Sequence, residues 1–404
     1  MKITNLPCEI VVEILGQLGK IQDLKAPLLS CRLFYNAYTQ RPRLAQQIVR
    51  KQIPTQLLPY AVALIYAPRA RKFALTFNAL NLTPEDADTL VFSSTSEGAV
   101  ASTRCFQTFS LPHLLAMEAA HELIAEFASH FAEKAWTAVS DTLNDTTSTK
   151  SVPSHLDLSQ KEWLRFCRCF YRVELYHGLF TMYGSDEARN VHMTQGDVLL
   201  ESGVRFKNRG RLNLEACMLA DLALWEVEQL GAAMEYLSDR FVAAAAGALA
   251  NDVIEHRYIN TDKPELYTLL VPKLTVNQLC RGLVYLQSLE KKSYVEKSDL
   301  LHSEPRMFLS YLYLELRLLH HVHKSEARHN TKLDASWQEL NLSDIDGDEG
   351  PRKALDCIAP HHVMEIGLEG LRERAYVFWD QERLEKYDFF SVISSSTPFR
   401  GVNS

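Results

Sequence analysis

Leu6-Pro7-Cys8-Glu9-Ile10-Val11-Val12-Glu13-Ile14-Leu15-Gly16-Gln17-Leu18 has the period of an amphipathic helix. The chain enters at Asn5 or Leu6, and Pro7 suits a first helical turn, where its fixed φ is already right and its missing N–H is no loss. Ile10, Ile14, Leu15 and Leu18 recur at helical intervals, and Glu9, Glu13 and Gln17 mark a polar side. Gly16 and Gly19 mark the end.

Asp23 opens a second short helix carrying Leu24, Leu28 and Leu29. Pro27 is poorly tolerated deep in a helix, so it belongs in a first turn or at a break. Ser30 is placed to cap a third helix with Cys31, Leu33, Phe34, Tyr35 and Tyr38. Three helices in about forty residues cannot enclose that many apolar side chains, so burial against a partner or a neighbouring domain is predicted.

Leu-Pro-x-Glu-Ile-x-x-x-Ile-Leu-x-x-Leu from Leu6, then Asp23-Leu24, then Ser30-Cys31-Arg32-x-Phe34-Tyr35, resembles the F-box pattern. The resemblance covers about a tenth of the chain, residues 3–44, inside a module set at 1–48. It implies a three-helix fold that docks the Skp-family adaptor, and through it the cullin, of an SCF-type ubiquitin ligase. Carried over position by position, it implies contacts from Leu6, Pro7, Ile10, Leu15, Leu18, Leu24, Leu28 and Cys31, some of which hold the helices together instead. Read without the resemblance, the same residues are a helical hairpin that opens a larger bundle.

Beyond this module the periodicity is helical almost everywhere, and no segment alternates with period two, so the fold class is all-α; with the resemblance, this reads as an N-terminal three-helix module similar to an F-box followed by an irregular helical bundle over 54–390. Over 111–139, Leu111, Leu114, Leu115, Ala119, Leu123, Phe127, Phe131, Ala135 and Val139 step by threes and fours. The run 159–183 is apolar on most of its circumference and therefore belongs in the middle of a bundle; Ser159 and Glu162 form a capping box at its start. Further helices are expected over 219–253, as one long helix or as two stacked helices interrupted near Gly231, and over 275–289, 304–323 and 367–387. Connections are expected over 82–108, 140–157, 184–210 and 325–352, and a disordered tail over 391–404. Arg165-Phe166-Cys167-Arg168-Cys169-Phe170-Tyr171-Arg172-Val173-Glu174-Leu175-Tyr176 and Arg372-Glu373-Arg374-Ala375-Tyr376-Val377-Phe378-Trp379-Asp380 are similar to fungal F-box proteins, a looser likeness that names no substrate.

A net charge of −7 gives no basis for a broad nucleic-acid or anionic-membrane surface, so neither is an expected partner. The first residues lack the basic and apolar regions of a signal peptide, and the ten-residue apolar run 241–250 is half a membrane span. Eight cysteines without a Cys-x-x-Cys pair suit a reducing compartment, cytoplasm or nucleus, with thiols as small core residues.

No cofactor or metal is expected. His121-Glu122 begins a zinc motif, but residue 125 is Ala. Asp344 to Asp348 has the acids of a calcium loop with the glycine misplaced and Leu355 where the bidentate Glu belongs. His320, His321, His323 and His329 suit a polar helix end. No nucleophile or carboxylate pair motivates an enzyme. Arg165, Arg168 and Arg172 share a helix face. They form either a pocket for an acidic or phosphorylated degron or internal pairs with Glu162, Glu174 or a carboxylate of another helix, and internal pairing is the favoured reading; Asp380, Arg372 and Arg374 offer further pairs. The expected function is a non-catalytic ligase receptor for an unknown target. A scaffold outside degradation, or an enzyme with a cryptic site, are the other readings.

Overall fold

The computed structural model describes residues 6–41, 43–77, 106–145, 153, 155–180, 222–255, 279, 281–302, 349–357 and 370–390. Twelve α-helices and no strand occur among them, so the protein is all-α. The helix expected over 304–323, its histidines, the acidic loop 344–348, the connection 184–210 and the tail after 391 lie outside the described residues.

The N-terminal helices are α1 (Cys8–Gly16), α2 (Lys25–Ser30), α3 (Arg32–Gln40) and α4 (Leu44–Gln52), with a 3-10 turn at Gln22–Leu24. Pro7 is the N-cap of α1 rather than its first residue, and its carbonyl accepts the N–H groups of Ile10 and Val11. α1 ends at Gly16 without a left-handed glycine. The cap of α3 is Cys31, not Ser30: the Cys31 Sγ accepts the Leu33 N–H at 3.3 Å, and the Ser30 hydroxyl turns back to the Pro27 carbonyl. Pro27 falls in the first turn of α2.

α1 is apolar on two sides. Val11, Val12 and Leu15 are buried towards α3 and α4, whereas Ile10 and Ile14, four residues apart, lie outside beside Glu9 and Glu13. α4 buries Leu44, Ala45, Ile48 and Val49 between α1 and the body, so the module boundary at 48 falls inside this helix.

The body consists of α5 (Leu58–Phe77), α6 (Leu111–Asp145), α7 (Gln160–Phe180), α8 (Leu224–Glu255), α9 (Leu283–Lys291), α10 (Tyr294–His302), α11 (Glu349–Asp356) and α12 (Gln381–Lys386). α7 touches α5, α6 and α8, the central place its all-round apolarity predicts. Its capping box forms in both directions: the Ser159 N–H donates to Glu162 Oε2 at 3.0 Å, and the Glu162 N–H donates to Ser159 Oγ at 3.1 Å. At the far end Gly178 lets α5 approach, with an added Cβ meeting Ala67 Cβ at 3.2 Å.

The core is aromatic. Phe166 stacks on Phe378 with ring centroids 4.3 Å apart, and Phe131 stacks on Tyr236 at 4.6 Å. Trp136 meets Trp379 and Tyr387 edge-on.

Several helix boundaries differ from expectation. α6 continues to Asp145, into the connection expected from 140, because Val139 and Leu143 prolong its buried stripe. Of the two forms expected around Gly231, α8 takes the single long helix, and the glycine makes room for the Arg372 guanidinium, which an added Cβ would meet at 3.1 Å. α9 begins at Leu283, directly after Gly282 with φ +85, and residues 275–278 and 280 of the helix expected there lie outside the described residues. α10 was unforeseen, although Ser293 and Glu296 signal its start as a capping box. Residues from Glu349, placed in a connection, open α11.

Of the helix expected over 367–387, the described residues from 370 onward are mostly a run of turns, helical at Gln381–Lys386. Its carbonyls are captured by side chains: Arg374 O by Trp379 Nε1 at 2.8 Å, Val377 O by Gln229 Nε2 at 2.8 Å, and Phe378 O by Arg165 Nη1 at 3.0 Å. Ala375 takes φ +48, which lets Tyr376, Val377, Phe378 and Trp379 all be buried.

Candidate docking face and buried charge network

Four large apolar side chains of the N-terminal module stand in solvent: Ile10 at 48% exposure, Ile14 at 45%, Leu29 at 77% and Tyr35 at 56%. They lie on α1, α2 and α3, and α3 touches both other helices. Pro7 is also exposed, and Leu6, Leu18, Leu28 and Cys31 are half-buried. Leu15 and Leu24 are only 1% and 2% exposed, so they brace the module and offer a partner no surface. Ile14, Leu29 and Tyr35 were absent from the expected contact set. Ile14 follows Ile10 by one helical turn, and Leu28-Leu29 are adjacent, so one of that pair had to face outward.

The module is tied to the body by Glu118 of α6, which is fully buried. Its Oε1 accepts the Ile21 N–H at 2.6 Å and Gln52 Nε2 at 2.7 Å, while Oε2 lies 3.4 Å from the Gln22 N–H. One turn on, Glu122 pairs with Lys20 at 2.6 Å. Lys51 donates to Gly16 O at 2.6 Å, a cation at the C-terminal end of α1. These bonds hold the N-terminal module at a defined place on the bundle.

The arginine face of α7 is internal. Arg165 is fully buried and pairs with Asp380 at 2.8 Å. Arg172 pairs with Glu226 at 2.6 Å and lies over the Tyr60 ring, while Arg168 Nη2 is 4.0 Å from the same carboxylate. Burial alone pushes Glu226 upward, but Arg172 and Arg168 outweigh it and hold the carboxyl below its ordinary value. Glu162 receives Arg383 and Glu228 receives Arg372, each through two nitrogens. Glu174 serves a different purpose from the arginine pairing considered for it: its Oε1 accepts the Leu283 N–H at 2.5 Å and caps α9. Arg374 reaches Thr142 Oγ1 at 2.9 Å.

Cys167 and Cys169 are buried, and burial pushes the Cys169 thiol up to about 12 and Cys167 upward as well. These two thiols are core residues with little thiolate character. No helix is long and apolar enough to cross a membrane, and no three His, Cys, Asp or Glu side chains converge as a metal site, among the described residues.

His121 lies between these regions, its Nδ1 3.0 Å from the Tyr171 hydroxyl and its ring edge-on to Trp163. Burial holds its imidazole below the ordinary 6.5, against smaller opposing contributions from Gln52 and Glu122. The unfolded chain therefore takes up a proton that the folded site resists. Stability is complete above pH 6.5 and declines as pH falls from 6.5 through the lower native value. Thermal midpoints measured from about pH 7.5 to about pH 5.5 should fall less for His121→Gln than for the wild type; parallel curves contradict this.

No family model matches the chain, and neither a curated protein nor a solved structure matches it.

Proposed function

We propose that this protein is the substrate-receptor subunit of an SCF-type cullin–RING ubiquitin ligase, docking a Skp-family adaptor through the outer strip of α1, α2 and α3. The observation that carries the reading is the exposure of Ile10, Ile14, Leu29 and Tyr35. Among the described residues no other stretch of similar length leaves four such side chains in water. Exposed apolar groups on neighbouring helices favour association, and they fall within the residues that resemble an F-box.

In this role the chain needs no nucleophile. It raises the local concentration of target lysines at the ubiquitin-carrying enzyme, and the effect depends on geometry. The Glu118 junction suits that task, because a target held by the bundle keeps a set distance from the adaptor.

Proximity labelling during proteasome inhibition tests the reading, with wild type and Ile10→Asp/Ile14→Asp as baits. The wild type should label the adaptor, the cullin and a set of targets; the variant should lose the first two and keep the targets. Target half-lives should lengthen when the protein is removed. Unchanged half-lives would replace the ligase reading with that of a scaffold outside degradation.

A further inference from the structure

A second surface is suited to the target itself. Between α6, α8, α9 and α10 lies a cleft of about 430 Å³. One wall is formed by Tyr236, Ala243 and Ala244. Val242 is exposed next to Ala243, and on α10 Tyr294 is exposed one turn before Lys297, on the same helical side.

The charges around the cleft differ in availability. Arg240 is committed: it engages Glu290 through Nε and, at 2.9 Å, through Nη2, and it donates to the Tyr236 hydroxyl at 2.8 Å. Lys134 and Asp239 form a surface pair at 3.3 Å, weak enough to exchange. Lys297 differs from both. Its ammonium donates to the Ala244 carbonyl at 2.8 Å, and no carboxylate among the described residues pairs with it. Three cations thus face two carboxylates in the cleft of a protein whose net charge is −7.

An apolar wall beside an ammonium that pairs with no carboxylate among the described residues fits a large apolar side chain next to a carboxylate. We propose that this cleft binds an acidic segment of the target protein, with the apolar residue against Ala243 and Ala244 and the neighbouring Asp or Glu on Lys297. The inference rests on the receptor reading for its purpose but on separate residues for its geometry. It also moves acidic recognition away from Arg165, Arg168 and Arg172, whose charge is met inside the bundle.

Display selection of random short peptides on the immobilised full chain is the test, run in parallel on Lys297→Met and Lys297→Glu. The wild-type pool should be enriched in Asp or Glu adjacent to Leu, Ile, Met, Phe or Trp. Its members should bind Lys297→Glu about tenfold more weakly or worse, and their affinity for the wild type should fall from about 50 to about 300 mM salt. Lys297→Met keeps the side-chain stem and gives the same direction if the charge reversal unfolds the chain. A pool without acidic enrichment, or one that binds Lys297→Met as well as wild type, overturns the proposal. Adaptor binding is measured on the same proteins. Loss of peptides with adaptor binding intact overturns the cleft alone; acidic peptides selected by a chain that ignores the adaptor overturn the ligase reading alone.

Discussion

Glu162→Leu is expected to cost about 3–5 kcal/mol of stability, as breaking one side of a buried ion pair does. Glu162 is fully buried at the start of α7 and satisfies donors from three places. Arg383 approaches through Nε and Nη2, both at 2.7 Å, and the Asp380 N–H donates at 2.9 Å. The Ser159 N–H completes the set at 3.0 Å. Leucine would leave a guanidinium beside the Trp136 and Trp379 rings without its counter-charge, along with two unmet backbone donors. Glu162→Leu/Arg383→Met should recover part of the loss, since the remaining cation is then gone. Denaturant unfolding measures both proteins. A loss below about 1 kcal/mol for the single variant would show that this pair does not anchor the C-terminal turns.

Gly350→Ala is expected to destabilise by about 3 kcal/mol or more, although alanine normally favours a helix by about 1 kcal/mol over glycine. An added Cβ at Gly350 would lie 2.4 Å from Trp379 O and 2.6 Å from Gln381 N. Both are backbone atoms, fixed by the turns that bury Trp379 and by the start of α12, so a side-chain rotation cannot relieve the clash. Gly16→Ala is the internal comparison: its Cβ would meet only Leu44 Cδ1, at an ordinary 3.5 Å. Opposite signs of the two effects in one unfolding experiment support the close approach of α11 to the 379–381 backbone; a gain at Gly350 contradicts it.

Both variants probe features that were unequally legible in the sequence. The Ser159–Glu162 box and the central place of α7 could be read locally, because caps and all-round apolarity are short-range signals. Internal pairing for the α7 arginines was also readable, with Asp380 as one candidate. The other acceptor, Glu226 on α8, was not identifiable as an individual residue, because partner choice depends on how helices pack. The turns at 371–378 read as helix because their apolar residues keep helical spacing. What diverts them is the capture of three carbonyls by Trp379, Gln229 and Arg165, two of those donors coming from distant helices.

The same limit applies to the docking face. Its helices could be read from Leu6 to Tyr38, but α1 carries apolar residues on two sides, and hydropathy does not say which one faces in. The structure buries Val11, Val12 and Leu15 and leaves Ile10 and Ile14 out. Leu15 and Leu24, implied as adaptor contacts by the resemblance, are consequently internal supports.

Titration of the full chain with a purified Skp-family adaptor tests the central claim most directly, using wild type and Ile10→Asp/Ile14→Asp. Interface anchors typically contribute about 2 kcal/mol or more each, so the double variant should bind about 1,000-fold more weakly or not at all. Its thermal midpoint should stay near that of the wild type, because both side chains are already half in solvent. A wild-type chain that does not bind the adaptor, or a double variant that binds it equally well, contradicts the account.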